Sequence, residues 1–215
     1  SVAVHVVIFT LREGDLQALL VHDPQLPPEK WAIPGGPLQP GELLRAAAVR
    51  TLWEQTGLAD VFLEQLYTFD APACLPETRM ITVTYLAVVP AAKMSFPAAD
   101  DRGRGGWWSL YALPPLAAGH AEILRYALTR LRYKLEYTAV GFELLPQEFT
   151  LTELQAAYEI VLGERLDKRN FRRKILSAGV IEPSGRYRMG EGRPARLYRY
   201  RADAVAEVKA RRLFP

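Results

Sequence analysis

The sequence predicts an α/β domain over residues 1–138, followed over residues 139–215 by a smaller domain of two helices and a β-hairpin. Alternating strand and helix patterns fill the first part, whereas two closely spaced helix caps mark the second. Charge also changes sign: residues 1–118 carry 8 Lys and Arg against 12 Asp and Glu, and residues 119–215 carry 19 against 12. An acidic part joined to a basic part indicates two separate functions, and the charge of the basic part predicts that it binds a polyanion.

The composition is that of an ordinary globular chain, with 49% hydrophobic residues among 215. The apolar run Val2–Phe9 lacks a basic leader and is too short to cross a bilayer, so we expect a buried strand and no membrane association. Cys74 is the only cysteine. It allows no intrachain disulfide and predicts a reducing, cytoplasmic location.

The first part reads as a sheet with flanking helices. A helix with one apolar face is expected over His120–Leu135, and the tryptophans at 107 and 108 are expected in the core. The predicted strands are Val2–Thr10, Gln17–His22, Val61–Phe69 and Met80–Val89.

The stretch Trp31–Leu58 combines a glycine turn with a helix. Gly35 and Gly36 allow backbone conformations that a side chain would forbid. The helix that follows ends at Gly57, a suitable C-cap. Arg50 and Glu54 lie one turn apart in it and are expected to pair.

This stretch resembles the Nudix box, G-x5-E-x7-R-E-U-x-E-E-x-G-U, the signature of enzymes that hydrolyse nucleoside diphosphates linked to another group. Gly36, Glu42 and Arg50 stand at the expected spacing. The resemblance implies a Nudix α/β/α sandwich. In that family three glutamates on one helix face hold magnesium, but here Thr51 and Gln55 replace two of them and only Glu54 remains. We therefore expect no catalytic residue and no metal site, in a fold kept for binding.

The ligand-binding residues implied by the resemblance are Gly35, Gly36, Glu54 and Arg79. Arg79 follows from the similarity of residues 68–88 to the segment of ADP-ribose-type Nudix proteins that places an arginine beside the pyrophosphate, and a solvated loop arginine is an equally open interpretation. The histidines are dispersed and Cys74 has no partner nearby in sequence, so no His/Cys metal site and no cofactor are expected.

The second part predicts a helix-turn-helix. Thr150 with Glu153 forms a capping box for the first helix, which ends at Gly163. Asp167 is the N-cap of the second helix, which is predicted to stop at Gly179. Two helices joined by so short a turn form a helix-turn-helix unit.

The second helix has an apolar side and a basic side. Phe171 and Ile175 share one face, opposite or beside the side chains of Lys168, Arg169, Asn170, Arg172 and Arg173. After it, Val180–Pro183, a turn at Ser184–Gly185 and a strand at Ala195–Tyr200 predict a β-wing that carries Arg193. A solvated charged face would explain the helix alone, but residues 165–201 carry 12 basic against 3 acidic residues. The combination predicts a winged helix-turn-helix that binds double-stranded DNA.

A degenerate Nudix box followed by LLPQEFTLTELQAAYE, LDKRNFRRKI and GRPARLYRY resembles the NrtR family, the Nudix-related transcriptional regulators of NAD metabolism. The resemblance implies a repressor that senses ADP-ribose or another NAD-derived nucleotide and binds a palindromic operator as a homodimer. One alternative is an ADP-ribose pyrophosphatase with an appended nucleic-acid module, in which Glu42, Glu54 and a further carboxylate such as Glu122 hold magnesium. Another is a winged helix that binds protein, which the basic charge disfavours.

Overall fold

The structure, a computed structural model, describes residues 1–72, 79–91, 105–137, 144–190 and 192–201. The chain divides into two compact units, and the division falls between Leu128 and Thr129, with the short segments Leu11–Asp15 and Pro90–Lys93 belonging to the second unit. Up to residue 137 the elements are β1 (Val2–Arg12), β2 (Asp15–Val21), β3 (Gly35–Pro37), α1 (Leu44–Thr56), β4 (Glu64–Pro72), β5 (Arg79–Val88), β6 (Gly105–Ser109) and α2 (His120–Tyr137). The later elements are α3 (Leu151–Leu162), α4 (Lys168–Ser177), β7 (Ile181–Arg188) and β8 (Ala195–Tyr200).

The sheet of the first unit is mixed, in the order β4-β5-β1-β2-β6, with β3 also paired to β1. Strand β1 runs parallel to β5, in a register that places Val4 beside Val83 and Ile8 beside Ala87. Strands β4 and β6 add antiparallel neighbours at the two edges. A central strand is covered on both faces, which is why the start of the chain reads as an almost unbroken apolar run.

Helices cover the two faces of this sheet. On one face, Ala47, Ala48 and Leu52 of α1 share a core cluster with Val4 and Val6 of β1. On the other, the ring of His120 at the start of α2 meets His5, and Tyr126 packs on Tyr67 and Phe69 of β4. Because alternate residues of a strand point to opposite faces, these contacts define two helical layers with the sheet between them. The predicted α/β/α sandwich is confirmed.

The second unit contains the predicted pair of helices. Thr150 and Glu153 form the reciprocal capping box of α3, and Asp167 caps α4 by accepting a hydrogen bond from the Asn170 N–H. The buried rings of Tyr158 and Phe171 meet edge to face at 5.5 Å and join the two helices. Strands β7 and β8 are antiparallel, and Phe149 adds a backbone bridge to Tyr198 at the edge of the wing.

The predicted boundaries of most elements shift by one to three residues, and three of the differences have a clear physical reason. The strand expected over Val61–Phe69 is β4, which starts at Glu64, since Val61 packs on the core from a loop with a left-handed Asp60. The turn expected at Ser184–Gly185 is a β-bulge: the register shifts there and β7 continues to Arg188.

The third difference is the end of α4. This helix is capped by Ala178, and Gly179 follows it with a φ of 66°. The sequence signal therefore locates the left-handed residue correctly but lies one position past the cap. Across the residues that the structure describes, no helix has the length and apolar character needed to span a membrane.

Candidate nucleic-acid interface and ligand loop

The charged residues of the box form a closed network with one another. Arg50 donates through Nε to Glu42 Oε1 at 2.7 Å and through Nη2 to Glu42 Oε2 at 2.8 Å. Its Nη1 reaches Glu54 Oε2 at 3.2 Å, so the predicted pair of Arg50 and Glu54 is confirmed. The hydrogen bonds from Arg50 lower the pKa of the Glu42 carboxyl to about 2, and the same contact raises the pKa of Arg50.

Thr51 and Gln55 stand at the two box positions that lack a glutamate, and both are bound to backbone. The Thr51 hydroxyl is buried and donates to Ala47 O at 2.8 Å. Gln55 accepts from the Gly35 N–H at 2.9 Å and donates to Gly35 O at 2.7 Å. Gln55 thus joins α1 to the glycine turn, whereas Thr51 bonds only within α1.

The donor chemistry of the box does not fit the three-carboxylate magnesium site of the family. Of the three positions, Glu54 alone supplies a carboxylate, and the Gln55 carbonyl oxygen already accepts a backbone N–H. Both oxygens of the nearby Glu42 accept from Arg50. Magnesium requires clustered hard oxygen ligands, and within the described ranges no group of three His, Cys, Asp or Glu side chains is placed to hold a metal.

The candidate ligand residues come from three elements. Gly35 and Gly36 lie in β3 beside His5 and Val4 of β1. Glu54 is exposed on α1. Arg79 is the first residue of β5, and its side chain lies outside the described residues. The structure therefore brings the glycines and α1 together through Gln55.

His5 and His120, which are far apart in the sequence, meet behind the glycine turn. The Nδ1 atom of His120 accepts from the Ile33 N–H at 2.9 Å. The rings of His5 and His120 lie 4.8 Å apart, edge to face. Burial lowers the pKa of His5 to about 3 and that of His120 to about 4, so both rings are uncharged at neutral pH. A separation of 115 residues leaves no local pattern that would have revealed this pair.

Helix α4 presents a basic face to solvent. Phe171 and Ile175 are buried, whereas Lys168, Arg169 and Arg173 are exposed, as the sequence predicts. Within the part of the chain that the structure describes, no carboxylate forms an ion pair with these three cations. Asn170 Oδ1 accepts from Arg173 Nη2 at 2.8 Å, which orients the Arg173 guanidinium. The face therefore offers uncompensated, multiply donating groups suited to phosphates and base edges.

Arg172 lies differently from its neighbours. It is partly buried, and its Nη2 donates to Thr152 Oγ1 of α3 at 3.2 Å. Its Nε is buried without a protein partner. This placement turns Arg172 toward α3 and away from the exposed Arg169–Arg173 side.

The wing arginines fall into two groups. Three of them pair with acidic side chains: Arg186 with Glu148, Arg188 with Glu153, and Arg199 with Glu182. Arg193, near the tip between β7 and β8, is exposed. Arg196 is also exposed, and hydrogen bonds with the hydroxyls of Tyr187 and Tyr198 raise its pKa. The cationic surface of the wing is thus concentrated at residues 193 and 196.

The turn between α3 and α4 is held by side-chain hydrogen bonds that the sequence does not predict. Glu159 Oε1 accepts from the Leu166 N–H at 2.8 Å and from Gln155 Nε2 at 3.1 Å. Gln155 Nε2 also reaches Leu166 O at 3.0 Å. The hydrogen bond from Leu166 lowers the pKa of Glu159. These bonds fix the residue before the α4 cap and hence the start of the basic helix.

Two family models match the chain: a NUDIX domain over residues 2–127 and the NrtR DNA-binding winged helix domain over residues 141–200. The ADPR responsive transcriptional repressor NtrR of Acinetobacter baylyi is 37% identical over 206 residues, covering 92% of this chain and 80% of that protein. The crystal structure of Shewanella oneidensis NrtR complexed with a 27mer DNA is similar with a TM-score of 0.83 and 30% identity, over 99% of each chain. An ADP-ribose pyrophosphatase of Methanocaldococcus jannaschii is 30% identical over 95 residues, 44% of this chain and 55% of that protein. This chain therefore belongs to the NrtR family, with a Nudix domain followed by an NrtR-type DNA-binding winged helix domain.

Proposed function

We propose that this protein is a transcriptional repressor that acts in the cytoplasm on genes of NAD metabolism or related genes, and whose Nudix domain senses ADP-ribose or another NAD-derived nucleotide. The observation that carries the proposal is the exposed basic face of α4, where Lys168, Arg169 and Arg173 have no carboxylate partner among the described residues. This face lies in a segment, residues 165–201, that carries 12 basic against 3 acidic residues, an excess suited to a polyanion. The repressor activity of the Acinetobacter relative supports the same direction.

DNA is contacted by α4 and the wing. Arg169 and Arg173 lie one turn apart and face the major groove, where a guanidinium can bond guanine or a phosphate. Lys168 and Asn170 flank them, and Arg193 reaches a neighbouring backbone or minor groove. Arg172 acts from the α3 side, where its bond to Thr152 supports the orientation of α4.

A single α4 helix reads too few base pairs for useful selectivity, so the functional unit is a homodimer on a palindromic operator. Two copies double the number of base and phosphate contacts, and the spacing of the operator half-sites then follows from the geometry of the dimer.

The effector binds at the glycine turn. The backbone at Gly35 and Gly36 allows close approach of a diphosphate. Glu54 and Arg79 are the charged residues that the family resemblance assigns to this ligand. Binding changes DNA affinity only if the effector prefers one of the two DNA-binding states, because differential affinity alone shifts an equilibrium. We assign the preference to the state with weak DNA affinity, so that the nucleotide releases the operator.

We further propose that the Nudix domain works without hydrolysis. Thr51 and Gln55 bind backbone where the family places metal ligands, which leaves Glu54 as a single carboxylate. The alternative is an ADP-ribose pyrophosphatase, and the similarity to the Methanocaldococcus enzyme over the Nudix part keeps that activity worth measuring.

The test is fluorescence anisotropy with a duplex selected from random DNA, without and with ADP-ribose and magnesium, followed by chromatography of the nucleotide. We expect selective binding, release by ADP-ribose and recovery of the nucleotide intact. Absence of any sequence preference at all salt concentrations, together with turnover to AMP and ribose phosphate, would replace the repressor with the hydrolase.

A further inference from the structure

The turn that precedes α1 is held by side chains from two helices. At its start, the Ile33 N–H donates to His120 Nδ1 at 2.9 Å. At Gly35, both backbone polar groups bond Gln55 at 2.9 and 2.7 Å. A displacement of this turn therefore strains a contact with α1, with α2 or with both.

His5 closes the space beneath the turn. A Cβ added to Gly35 would lie 2.5 Å from His5 Cδ2 and 2.5 Å from Val4 O. The His5 ring in turn meets the ring of His120 at 4.8 Å, with an angle of 77° between the planes. Gly35 thus cannot move toward β1 unless His5 moves, and His5 contacts the first residue of α2.

Helices α1 and α2 end in different units of the chain. Gln55 lies in the last turn of α1, which ends at Thr56 inside the first unit. His120 is the first residue of α2, which begins in the first unit and ends at Tyr137 in the second. A continuous helix transmits displacement along its axis because its backbone is internally hydrogen bonded.

We propose that His120, supported by His5, is a coupling residue: its hydrogen bond to Ile33 carries the position of the Gly35–Gly36 turn into α2, so that an effector at the turn changes DNA affinity. This inference rests on the proposed function and assigns the residue through which it is regulated. Neither histidine contacts the effector: His120 holds the Ile33 N–H, and His5 packs beneath Gly35 and against the His120 ring. The acceptor requires an uncharged ring, which burial maintains near neutral pH.

The experiment compares three variants in the full-length protein. His120→Asn keeps an acceptor at the place of Nδ1, whereas His120→Phe keeps a ring but has no acceptor. His22→Asn is the matched control, because the His22 ring stacks on Trp31 at 3.9 Å and has no ring contact with His5 or His120 among the described residues. For each variant, DNA affinity is measured without and with saturating ADP-ribose, and ADP-ribose affinity without and with DNA.

The coupling factor is the ratio of the affinities for one ligand measured without and with the other ligand. It must be the same whether it is measured on DNA binding or on ADP-ribose binding. We expect His120→Phe to reduce it at least about fivefold, toward one, while His120→Asn and His22→Asn retain it. DNA affinity without effector should stay within about twofold of the original protein, which a merely structural defect would not permit. If thermal melting shows that His120→Phe does not fold, His120→Gln is used instead, because its amide group lies at the place of Nε2 and not of Nδ1.

An unchanged coupling factor in the folded His120→Phe or His120→Gln protein overturns this inference alone. Equal loss of coupling in the Asn variant, despite a native melting temperature, overturns it too, because the acceptor would then not matter. A coupling factor of one in the unmodified protein instead overturns the proposed effector and this inference with it.

Discussion

Helices α1 and α4 both carry arginines but use them in opposite ways. In α1, Arg50 is bound by Glu42 and Glu54, so its charge is compensated inside the domain. In α4, Arg169 and Arg173 point to solvent with no carboxylate partner in the described ranges. The difference shows that an arginine on a helix can either stabilise its own fold or belong to a binding face, depending on what the fold places opposite it.

The largest expected effect is on DNA binding by α4. Replacing Arg169 and Arg173 together with alanine should weaken operator binding by about 100-fold and reduce the salt dependence, since each guanidinium contributes about 1–3 kcal/mol at a base or phosphate. Thermal stability should barely change because both side chains are exposed. Anisotropy titrations at several salt concentrations measure both quantities.

Arg12→Ala is the control for each single replacement, since it removes one positive charge from a residue whose partner is Glu13. Arg172→Ala should weaken binding less than Arg173→Ala and lower the melting temperature more, because Arg172 supports α3. Equal affinity of the double variant and the original protein would show that α4 is not the reading helix.

The next effect concerns the altered box. Thr51 is 2% exposed and its Cγ2 would lie 3.4 Å from a Cβ added at Gly36, so Thr51→Glu should destabilise the protein by about 1–3 kcal/mol through burial of an uncompensated charge. Urea denaturation with and without magnesium measures the change. Nucleotide chromatography should find no cleavage of ADP-ribose by this variant.

The double variant with Gln55→Glu sharpens the result. If two restored carboxylates gave full stability and magnesium-dependent release of AMP, the present box would be a hydrolase two substitutions away from activity. The assignment of Thr51 and Gln55 as backbone-binding side chains in place of metal ligands would then be wrong.

The ion pair of Arg50 with Glu42 predicts that the stability of the protein depends on pH. The pKa of Glu42 is lowered to about 2 by Arg50, below its unfolded value near 4.3. The stabilisation by ionised Glu42 is therefore complete above its unfolded pKa and is lost as pH falls from about 5 to about 2. Thermal melts across this range should show a steeper decline for the original protein than for Glu42→Gln. Parallel curves for the two proteins would contradict the assignment.

The smallest expected effect lies in the wing. Glu153→Gln keeps the capping box, which accepts glutamine at this position, but removes the charge that Arg188 binds. DNA affinity should rise by about two- to threefold, as expected for release of an exposed ion pair. Glu164→Gln, an exposed charge change in the same domain, should leave affinity unchanged. A similar gain in both variants would reduce the effect to net charge.

Much of the architecture was predictable from local signals. The caps of α3 and the N-cap of α4 were identified because a capping residue lies within three residues of its partner. The apolar side and the basic side of α4 follow from the 3.6-residue period of a helix. At Gly185 the sequence predicts a turn where the structure has a bulge, since glycine with positive φ serves both and only the strand partner distinguishes them.

The sequence by itself determined the order of the elements, the charge asymmetry and the family, because periodicity, capping and motif spacing are properties of neighbouring residues. Only the tertiary structure decided which arginines are compensated, that Gln55 clamps Gly35, and that His5 meets His120. Those contacts join residues 8, 20 and 115 positions apart. Their partners are chosen by how the sheet and helices close on one another, and no local pattern records that choice.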